Sequence, residues 1–408
     1  MMKSCCPFVV ILMMLTVEAF SQPAPGDVFR EYLWSKEDGD AGGSLRVGGR
    51  EGYDGSIVLE HDFDLEHATK AEVVIEKILC HDGTTGLAIQ VNESDWIYVP
   101  EPSTIPVPRS AYQHHFYPIV RIPLSGLKQG KGNTFRMKVD EKHPWNWPQN
   151  LIYGVHFRIY YDPAQKPHPA FRITSPQTGE TMGRSVTLAI EANRPNDKIE
   201  QVDYVGLYED VNFEGDGIYR QWHYHFFHGQ IMNHIGSATR APYDATWDTS
   251  WVPDQKEPMQ IAARIKDHSG MIYMTEAVDN LHLVRPGFSV ELCKPYNIPK
   301  KWVTRSGEKE EYFDVTGNLG NAVAAQLVWS SWSPGYMRGV YINDAKVFDR
   351  EGPNYQYFAH RVTVNDVSCF EQGVNVLKTG KTPKINGKMV HGMEVNWPGI
   401  MVLIQYQE

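Results

Sequence analysis

Two stretches of the chain decide its fold. Residues 69–101 read TKAEVVIEKILCHDGTTGLAIQVNESDWIYVPE, and residues 321–351 read NAVAAQLVWSSWSPGYMRGVYINDAKVFDRE. Each has an apolar run, a turn containing glycine, a second apolar run, and then Asn-Glu or Asn-Asp leading into a third run, which is a pattern of consecutive strands. The succession predicts that one β-architecture occurs twice.

The landmarks around both stretches repeat in the same order. A Gln-Gly turn follows each, at 129–130 and 372–373, and an asparagine then opens another strand, Asn133 or Asn375. Asn-Trp-Pro stands before the last apolar run of each half, at 146–148 and 396–398. No amphipathic helix pattern separates the strands, so the sequence predicts an all-β protein built from antiparallel sandwiches.

The repeated halves resemble the jelly-roll sandwiches of the galactose-binding-like class. The resemblance is carried, in the first half, by the VN hairpin at 91–92 and by LKQGKGNTFR at 127–136. Such modules commonly accompany carbohydrate-active enzymes, so the resemblance implies a link to saccharides.

A different unit lies between the halves, after a proline-rich linker at 163–169. ITSPQTGET (173–181), VTLAIEA (186–192), APYDATW (241–247) and AARIKDHSG (262–270) resemble the strands of bacterial immunoglobulin-like domains of secreted glycan-degrading proteins. The predicted organisation is a signal peptide at 1–21, a jelly-roll β-sandwich at 22–162, an immunoglobulin-like β-sandwich at 168–285 with a long histidine-rich insertion, and a second jelly roll at 290–408.

Composition limits the partners. Thirty-nine Lys and Arg against 49 Asp and Glu give a net charge of −10, which repels a nucleic-acid backbone, so no nucleic-acid partner is expected. Lys3, the apolar run 7–15 and the small residues up to Ser21 predict a secretory signal cleaved after about Ser21. We therefore expect a secreted, periplasmic or extracellular protein without a membrane span.

The insertion suggests metal ligands. His223 and His225 alternate with aromatic residues, which in a strand puts both imidazoles on one face, and His228 or His234 could complete a zinc or copper site. The alternative is that these histidines are polar residues on the outer face of a packed strand.

Just before these histidines, oxygen-bearing side chains occupy alternate positions and end at glycine. Asp210, Asn212, Glu214 and Asp216 could wrap a calcium ion, or they could form an ordinary Asx-rich turn.

Three loops of the first half are the candidate saccharide site. Aromatic rings stack on sugar C–H surfaces, and His and Asp side chains bond to hydroxyls, which favours His81, Asp82, Tyr112, His143 and Trp145 as ligand-binding residues. A lyase needs a Tyr or His base beside a cation, a role that His114, His115, Tyr117 and Arg121 suit.

The sequence thus favours recognition of a complex polysaccharide or glycan, within a polysaccharide-processing system. One alternative is a polysaccharide lyase or glycoside hydrolase, with or without a metal, whose site lies where the modules meet and where the insertion could complete a cleft. Another is a structural or adhesive surface protein. Neither a phosphate-binding loop nor a dinucleotide fingerprint is present, so no organic cofactor is expected.

Overall fold

A computed structural model describes residues 23–36, 43–81, 83–140, 149–192 and 199–407. Within these ranges the regular elements are thirty β-strands and six three-residue 3-10 helices, so the prediction of an all-β fold is confirmed. The 3-10 helices are Arg109–Ala111, Leu124–Gly126, Thr304–Ser306, Leu319–Asn321, Pro334–Tyr336 and Val367–Cys369. No helix of the described residues is long and apolar enough to cross a membrane.

The first sandwich is built from ten strands in two facing sheets. Its strands are β1 (Val28–Ser35), β2 (Leu45–Gly48), β3 (Ile57–Leu59), β4 (Ala68–Cys80), β5 (Ala88–Val91), β6 (Ile97–Tyr98), β7 (His114–Phe116), β8 (Ile119–Ile122), β9 (Asn133–Lys138) and β10 (Gln149–Tyr161). One sheet has the order β1-β10-β4-β8, with β2 and β7 added at the ends of β10 and β4, and the other has the order β3-β9-β5-β6.

The third sandwich repeats this arrangement. Its strands are β22 (Phe288–Cys293), β23 (Lys309–Val315), β24 (Ala322–Trp332), β25 (Val340–Ile342), β26 (Ala345–Phe348), β27 (Tyr357–Val364), β28 (Gly373–Thr379), β29 (Glu394–Val395) and β30 (Met401–Gln407). Its sheets run β22-β30-β24-β27 and β23-β28-β25-β26. Eight strands therefore match those of the first sandwich one by one in chain order, and eight strands in two such sheets form a jelly roll.

The repeated asparagines explain why this order recurs. Nδ2 of Asn92 donates to Oδ1 of Asn133 over 2.9 Å, and Oδ1 of Asn92 accepts from the backbone N–H of Thr134. Asn343 and Asn375 form the same pair over 2.7 Å in the third sandwich. Asn133 and Asn375 are fully buried, so in each sandwich a satisfied amide pair ties the turn after the β5 or β25 strand to the start of β9 or β28.

The middle sandwich has a three-stranded sheet facing a longer one. Its strands are β11 (Phe171–Ser175), β12 (Thr181–Met182), β13 (Ser185–Ala192), β14 (Ile199–Leu207), β15 (His225–Phe227), β16 (Gln230–Met232), β17 (Gly236–Ala238), β18 (Ala245–Asp248), β19 (Met259–Asp267), β20 (Met271–Met274) and β21 (Val278–Leu283). The short sheet is β11-β13-β18, and β15 and β16 form a separate hairpin within the insertion.

The first and middle sandwiches share one twelve-stranded sheet. Strand β1 pairs with β10 on one side and with β20 on the other, where Val28 lies opposite Tyr273 and Arg30 opposite Met271. Buried charges reinforce this seam. The guanidinium of Arg158 bonds to Glu31 and Glu72, and that of Arg264 bonds to Glu31 over 2.6 Å.

The first and third sandwiches are also in contact. The backbone N–H of Trp397 donates to the carbonyl of Gln113 over 2.7 Å, and the Gln113 side chain donates to Glu394 over 2.7 Å. A small apolar cluster containing Leu151, Tyr153 and Trp332 fills the same junction. The two jelly rolls therefore meet each other as well as the unit between them.

Candidate functional site at the junction of the middle and third sandwiches

The insertion between β14 and β17 contacts both jelly rolls. Trp222 is buried and its indole N–H donates to the carbonyl of Pro23 over 2.6 Å, while the fully buried Glu76 accepts the backbone N–H groups of His228 and Gly229. On the other side, the indole N–H of Trp397 donates to the carbonyl of Glu214. These bonds hold the insertion in one position against both neighbours.

A cleft of about 550 Å³ lies between the insertion and the outer face of strands β24 and β27. Its volume is within the range of small-molecule sites, which often occur where domains meet. Because side chains alternate along a strand, Val328, Ser330 and Arg361 lie on the cleft side, whereas Trp329 packs into the core of the third sandwich. The remaining wall residues that bear on its chemistry are Tyr208, Asp210, Phe213, Tyr219, His223, His234 and Trp251.

His223 is a buried polar group in the wall of the cleft. It is 4% exposed and stacks on Tyr219 with ring centroids 3.9 Å apart, and its Nε2 atom lies 3.8 Å from the carboxylate of Asp210. Within the described ranges, its Nδ1 atom has no hydrogen-bond partner. Burial lowers the pKa of His223 well below its ordinary value, so the imidazole is neutral and can accept or donate one bond to a ligand.

Asp210 gives the cleft a carboxyl group that titrates near neutrality. Burial raises its pKa to about 6, and the positive charge of Arg361 together with the backbone N–H of Val211 partly offsets this effect. A carboxyl with a raised pKa in a cleft is typical of binding and catalytic sites.

The aromatic and cationic groups of the cleft come from opposite sides. Trp251 is half-buried at the end of the loop after β18, and the exposed Arg361 lies on β27. A ring face and a guanidinium on opposite walls can bind the apolar face and the oxygen atoms of one saccharide.

The structure puts three of the predicted catalytic residues in the contact between modules. His114 and His115 are each 2% exposed, and Nδ1 of His115 lies 3.0 Å from the hydroxyl of Tyr357 in the third sandwich. Tyr117 packs on His115 with ring centroids 4.7 Å apart. Burial lowers the pKa of both histidines well below the ordinary value. Arg121 is exposed on β8 and is not part of this cluster's contacts.

The predicted ligand-binding residues are divided. Tyr112 is 7% exposed and packs edge-on against Trp397, so it belongs to the contact between the jelly rolls. His81 is half-buried after β4. Asp82, His143 and Trp145 lie outside the described residues, as does the predicted signal peptide.

The four histidines proposed as metal ligands have different neighbours. His225 packs against His115 and Tyr117, and His228 packs against Tyr153. His234 bonds through Nε2 to the hydroxyl of Ser237 over 2.6 Å. Among the described residues, no three or more His, Cys, Asp or Glu side chains come together as a metal-binding group. Zinc and copper remain predictions that these contacts do not support.

The oxygen-rich loop proposed for calcium is closed by its own hydrogen bonds. Oδ1 of Asn212 accepts the backbone N–H groups of Gly215 and Gly217, and its Nδ2 donates to Asp216 over 2.9 Å. Asp216 also pairs with Arg220 over 2.6 Å. Asp210 faces the cleft, and Glu214 contributes its carbonyl to Trp397. These contacts are those of an Asx-rich turn, the alternative that the sequence left open.

Sequence reasoning did not identify Trp251 or Arg361 as site residues. Arg361 stands more than 100 positions from the insertion in an ordinary alternating strand, and no local signal marks it. Only the docking of two sandwiches brings it to Asp210. Trp251 could have been noted because it follows Trp247 by four positions. Trp247 is the one of the two that is buried in the core.

No family model matches the chain, and no curated protein is significantly similar to it in sequence. Among solved structures, it is similar to fibronectin(III)-like modules from Clostridium thermocellum (16% identity, 28% of this chain and 97% of that one, TM-score 0.18). A DUF4785 family protein from Legionella pneumophila is similar at 10% identity (95% and 86%, TM-score 0.24). A β-porphyranase of glycoside hydrolase family 86 from Bacteroides plebeius is similar at 13% identity (70% and 43%, TM-score 0.21). The chain thus spans less than half of the porphyranase, and at these TM-scores none of the likenesses bears on its function.

Proposed function

We propose that the protein is an exported glycan-recognition protein and that it binds a saccharide in the cleft between the middle and third sandwiches. The observation that carries the proposal is the unpartnered Nδ1 atom of the buried His223 in the wall of that cleft. Leaving a buried polar atom without a partner costs free energy, and a ligand group in the cleft would complete this bond.

The other walls of the cleft fit the same ligand class. Trp251 offers a ring face for the C–H surface of a sugar, and Asp210 and Arg361 offer an acceptor and donors for its oxygen atoms. The insertion that carries His223 and Asp210 is anchored to both jelly rolls, so these two side chains are positioned before the ligand arrives, which lowers the entropy lost on binding.

A second candidate function is cleavage of the bound polysaccharide. It is favoured by one observation: the Asp210 carboxyl, with a pKa of about 6, lies 3.8 Å from a neutral imidazole. Such a carboxyl can both release and accept a proton near pH 6, as general acid–base catalysis requires. No metal or organic cofactor takes part in this proposal.

The test combines binding and product formation. The mature protein is screened on a glycan array, and the glycans that it retains are then incubated with it while reducing ends and unsaturated products are measured. Trp251→Ala and Arg361→Gln are each expected to weaken binding roughly tenfold or more, because each removes a stacking face or a charge-assisted bond. Tyr355→Ala, which removes an exposed aromatic residue outside the cleft, is the matched control.

The outcomes separate the functions. Retention that depends on Trp251 and yields no product supports recognition alone, whereas product formation that is lost in Asp210→Asn supports the enzyme. Equal retention by the wild type, Trp251→Ala and Arg361→Gln would show that the cleft is not the saccharide site. Circular dichroism of each variant confirms that it is folded.

A further inference from the structure

The outer face of sheet β3-β9-β5-β6 in the first sandwich carries aromatic and basic side chains. Along β9, Phe135 and Met137 point into the core, so Arg136 and Lys138 point outward. Tyr98 stands on the same cross-strand row as Lys138 and is 73% exposed. The result is an open surface in which a tyrosine and two cations share one face.

Trp96 lies against both cations. The ammonium of Lys138 is 4.6 Å from the centre of the Trp96 ring, and the guanidinium of Arg136 is 6.0 Å from it. These are cation–π contacts, which fix the two side chains while leaving their charges without a counter-ion. Within the described residues, neither Arg136 nor Lys138 forms a salt bridge with an acidic side chain.

The duplicated sandwich shows that the absence of counter-ions is specific to the first copy. Lys378 occupies in β28 the position that Arg136 occupies in β9, and it pairs with Asp344 over 2.7 Å. Lys346, on the same row of the third sandwich, pairs with Asp349. The same sheet of one scaffold thus has neutralised cations in the third sandwich and unneutralised cations in the first.

From this contrast we propose that the outer face of sheet β3-β9-β5-β6 is a second binding site, for an acidic polysaccharide that bears carboxylate or sulfate groups. Tyr98 and Trp96 contact the sugar rings, and Arg136 and Lys138 bind the anionic groups. Four strands at about 4.8 Å spacing give a face roughly 14 Å wide, which suits an extended chain more than a single sugar. This proposal is independent of the one for the junction cleft, because the two sites share no residue.

The experiment measures binding to immobilised polygalacturonate, which carries carboxylates, and to κ-carrageenan, which carries sulfates, with dextran as the neutral control. The double variant Arg136→Ser/Lys138→Ser is expected to lose at least about tenfold in affinity for one or both acidic polymers. Tyr98→Ala is expected to lower the affinity for the same polymers several-fold. The matched double variant Lys346→Ser/Lys378→Ser removes two charges from the corresponding sheet and is expected to bind like the wild type.

Binding that weakens as NaCl rises from 0.05 to 0.5 M supports the proposal, since exposed charges are screened. Equal losses in the two double variants would overturn it, because attraction would then depend on overall charge. Single-stranded DNA or phosphatidylserine vesicles bound as tightly as the acidic polymers would also overturn it, since the site would then not select saccharides. Tyr355→Ala removes an exposed aromatic side chain that belongs neither to this sheet nor to the cleft, and it should bind the acidic polymers like the wild type.

Discussion

The carboxyl of Asp210 provides a test of whether the junction cleft is kept for a ligand at the expense of stability. Its pKa is about 6 in the folded protein against an ordinary value of 3.8, because burial disfavours the charged form. At 1.36 kcal/mol per pKa unit, ionising it in the folded state costs about 3 kcal/mol. Below pH 3.8 this cost is absent, and it grows as the pH rises from 3.8 to 6, because the unfolded chain releases its proton first.

Asp210→Asn removes the titration while keeping the acceptor that bonds to the backbone N–H of Val211. We expect the free energy of unfolding of the variant to exceed that of the wild type by about 3 kcal/mol at pH 7.5 and by less than about 1 kcal/mol at pH 4. With an unfolding entropy of about 2.1 cal/mol/K per residue, 3 kcal/mol corresponds to a rise in Tm of about 4 °C for the chain unfolding as one unit. Differential scanning calorimetry at both pH values measures this.

Asp248→Asn is the matched control, since this exposed carboxylate borders the same cleft and its acceptor role toward Ser250 survives in the amide. Its change in Tm is subtracted from that of Asp210→Asn at each pH. An Asp210→Asn variant that is no more stable than the wild type at pH 7.5, or whose gain is the same at both pH values, would refute a raised pKa at this site. A stable variant that no longer binds the glycan would indicate that the carboxylate is retained for function.

Three further predictions follow from buried groups elsewhere. Burial alone would raise the pKa of Glu31, but the charges of Arg264 and Arg158 hold it at about 2. Glu31 therefore contributes about 3 kcal/mol to the free energy of unfolding above pH 4.5, and this contribution should be lost as the pH falls toward 2. Urea unfolding of Glu31→Gln at pH 7 and pH 3 should show a much smaller pH effect than the wild type, whereas Glu191→Gln, at an exposed ion pair, should behave as the wild type. Asn375→Ala should lower the free energy of unfolding by about 2–4 kcal/mol, because it leaves several buried backbone and amide groups unpaired; a loss below 1 kcal/mol would contradict the role of the amide pair. Iodoacetamide should label Cys369 faster than Cys293 in the native protein, since burial raises the pKa of the Cys293 thiol, and mass spectrometry of the labelled peptides decides this.

The interior of each jelly roll was accessible to sequence reasoning because it depends on local patterns. Alternating apolar residues specify which face of a strand is buried, and the Asn133 and Asn375 landmarks specify where a strand begins, so the repeat could be found by matching short segments. Each of these signals lies within one short segment of the chain. The structure adds the reason for the asparagines, which is the amide pair across two turns.

The sharing of one sheet by the first and middle sandwiches was not accessible in this way. A proline-rich linker at 163–169 suggests two separate units, whereas the pairing of β1 with β20 joins residues more than 240 positions apart. Edge strands carry unpaired N–H and C=O groups along their whole length, and nothing in their side-chain pattern specifies which other edge will satisfy them.

The sequence by itself determined an all-β chain with a duplicated jelly roll around a different middle sandwich, because strand periodicity and turn chemistry are properties of neighbouring residues. Only the tertiary structure decided which polar residues line the junction cleft. The histidines at 114 and 115 are buried where the jelly rolls meet, and Arg361 reaches Asp210 only through the docking of two units. Burial and charge pairing depend on what lies opposite a side chain, and that is set by the packing of whole sheets.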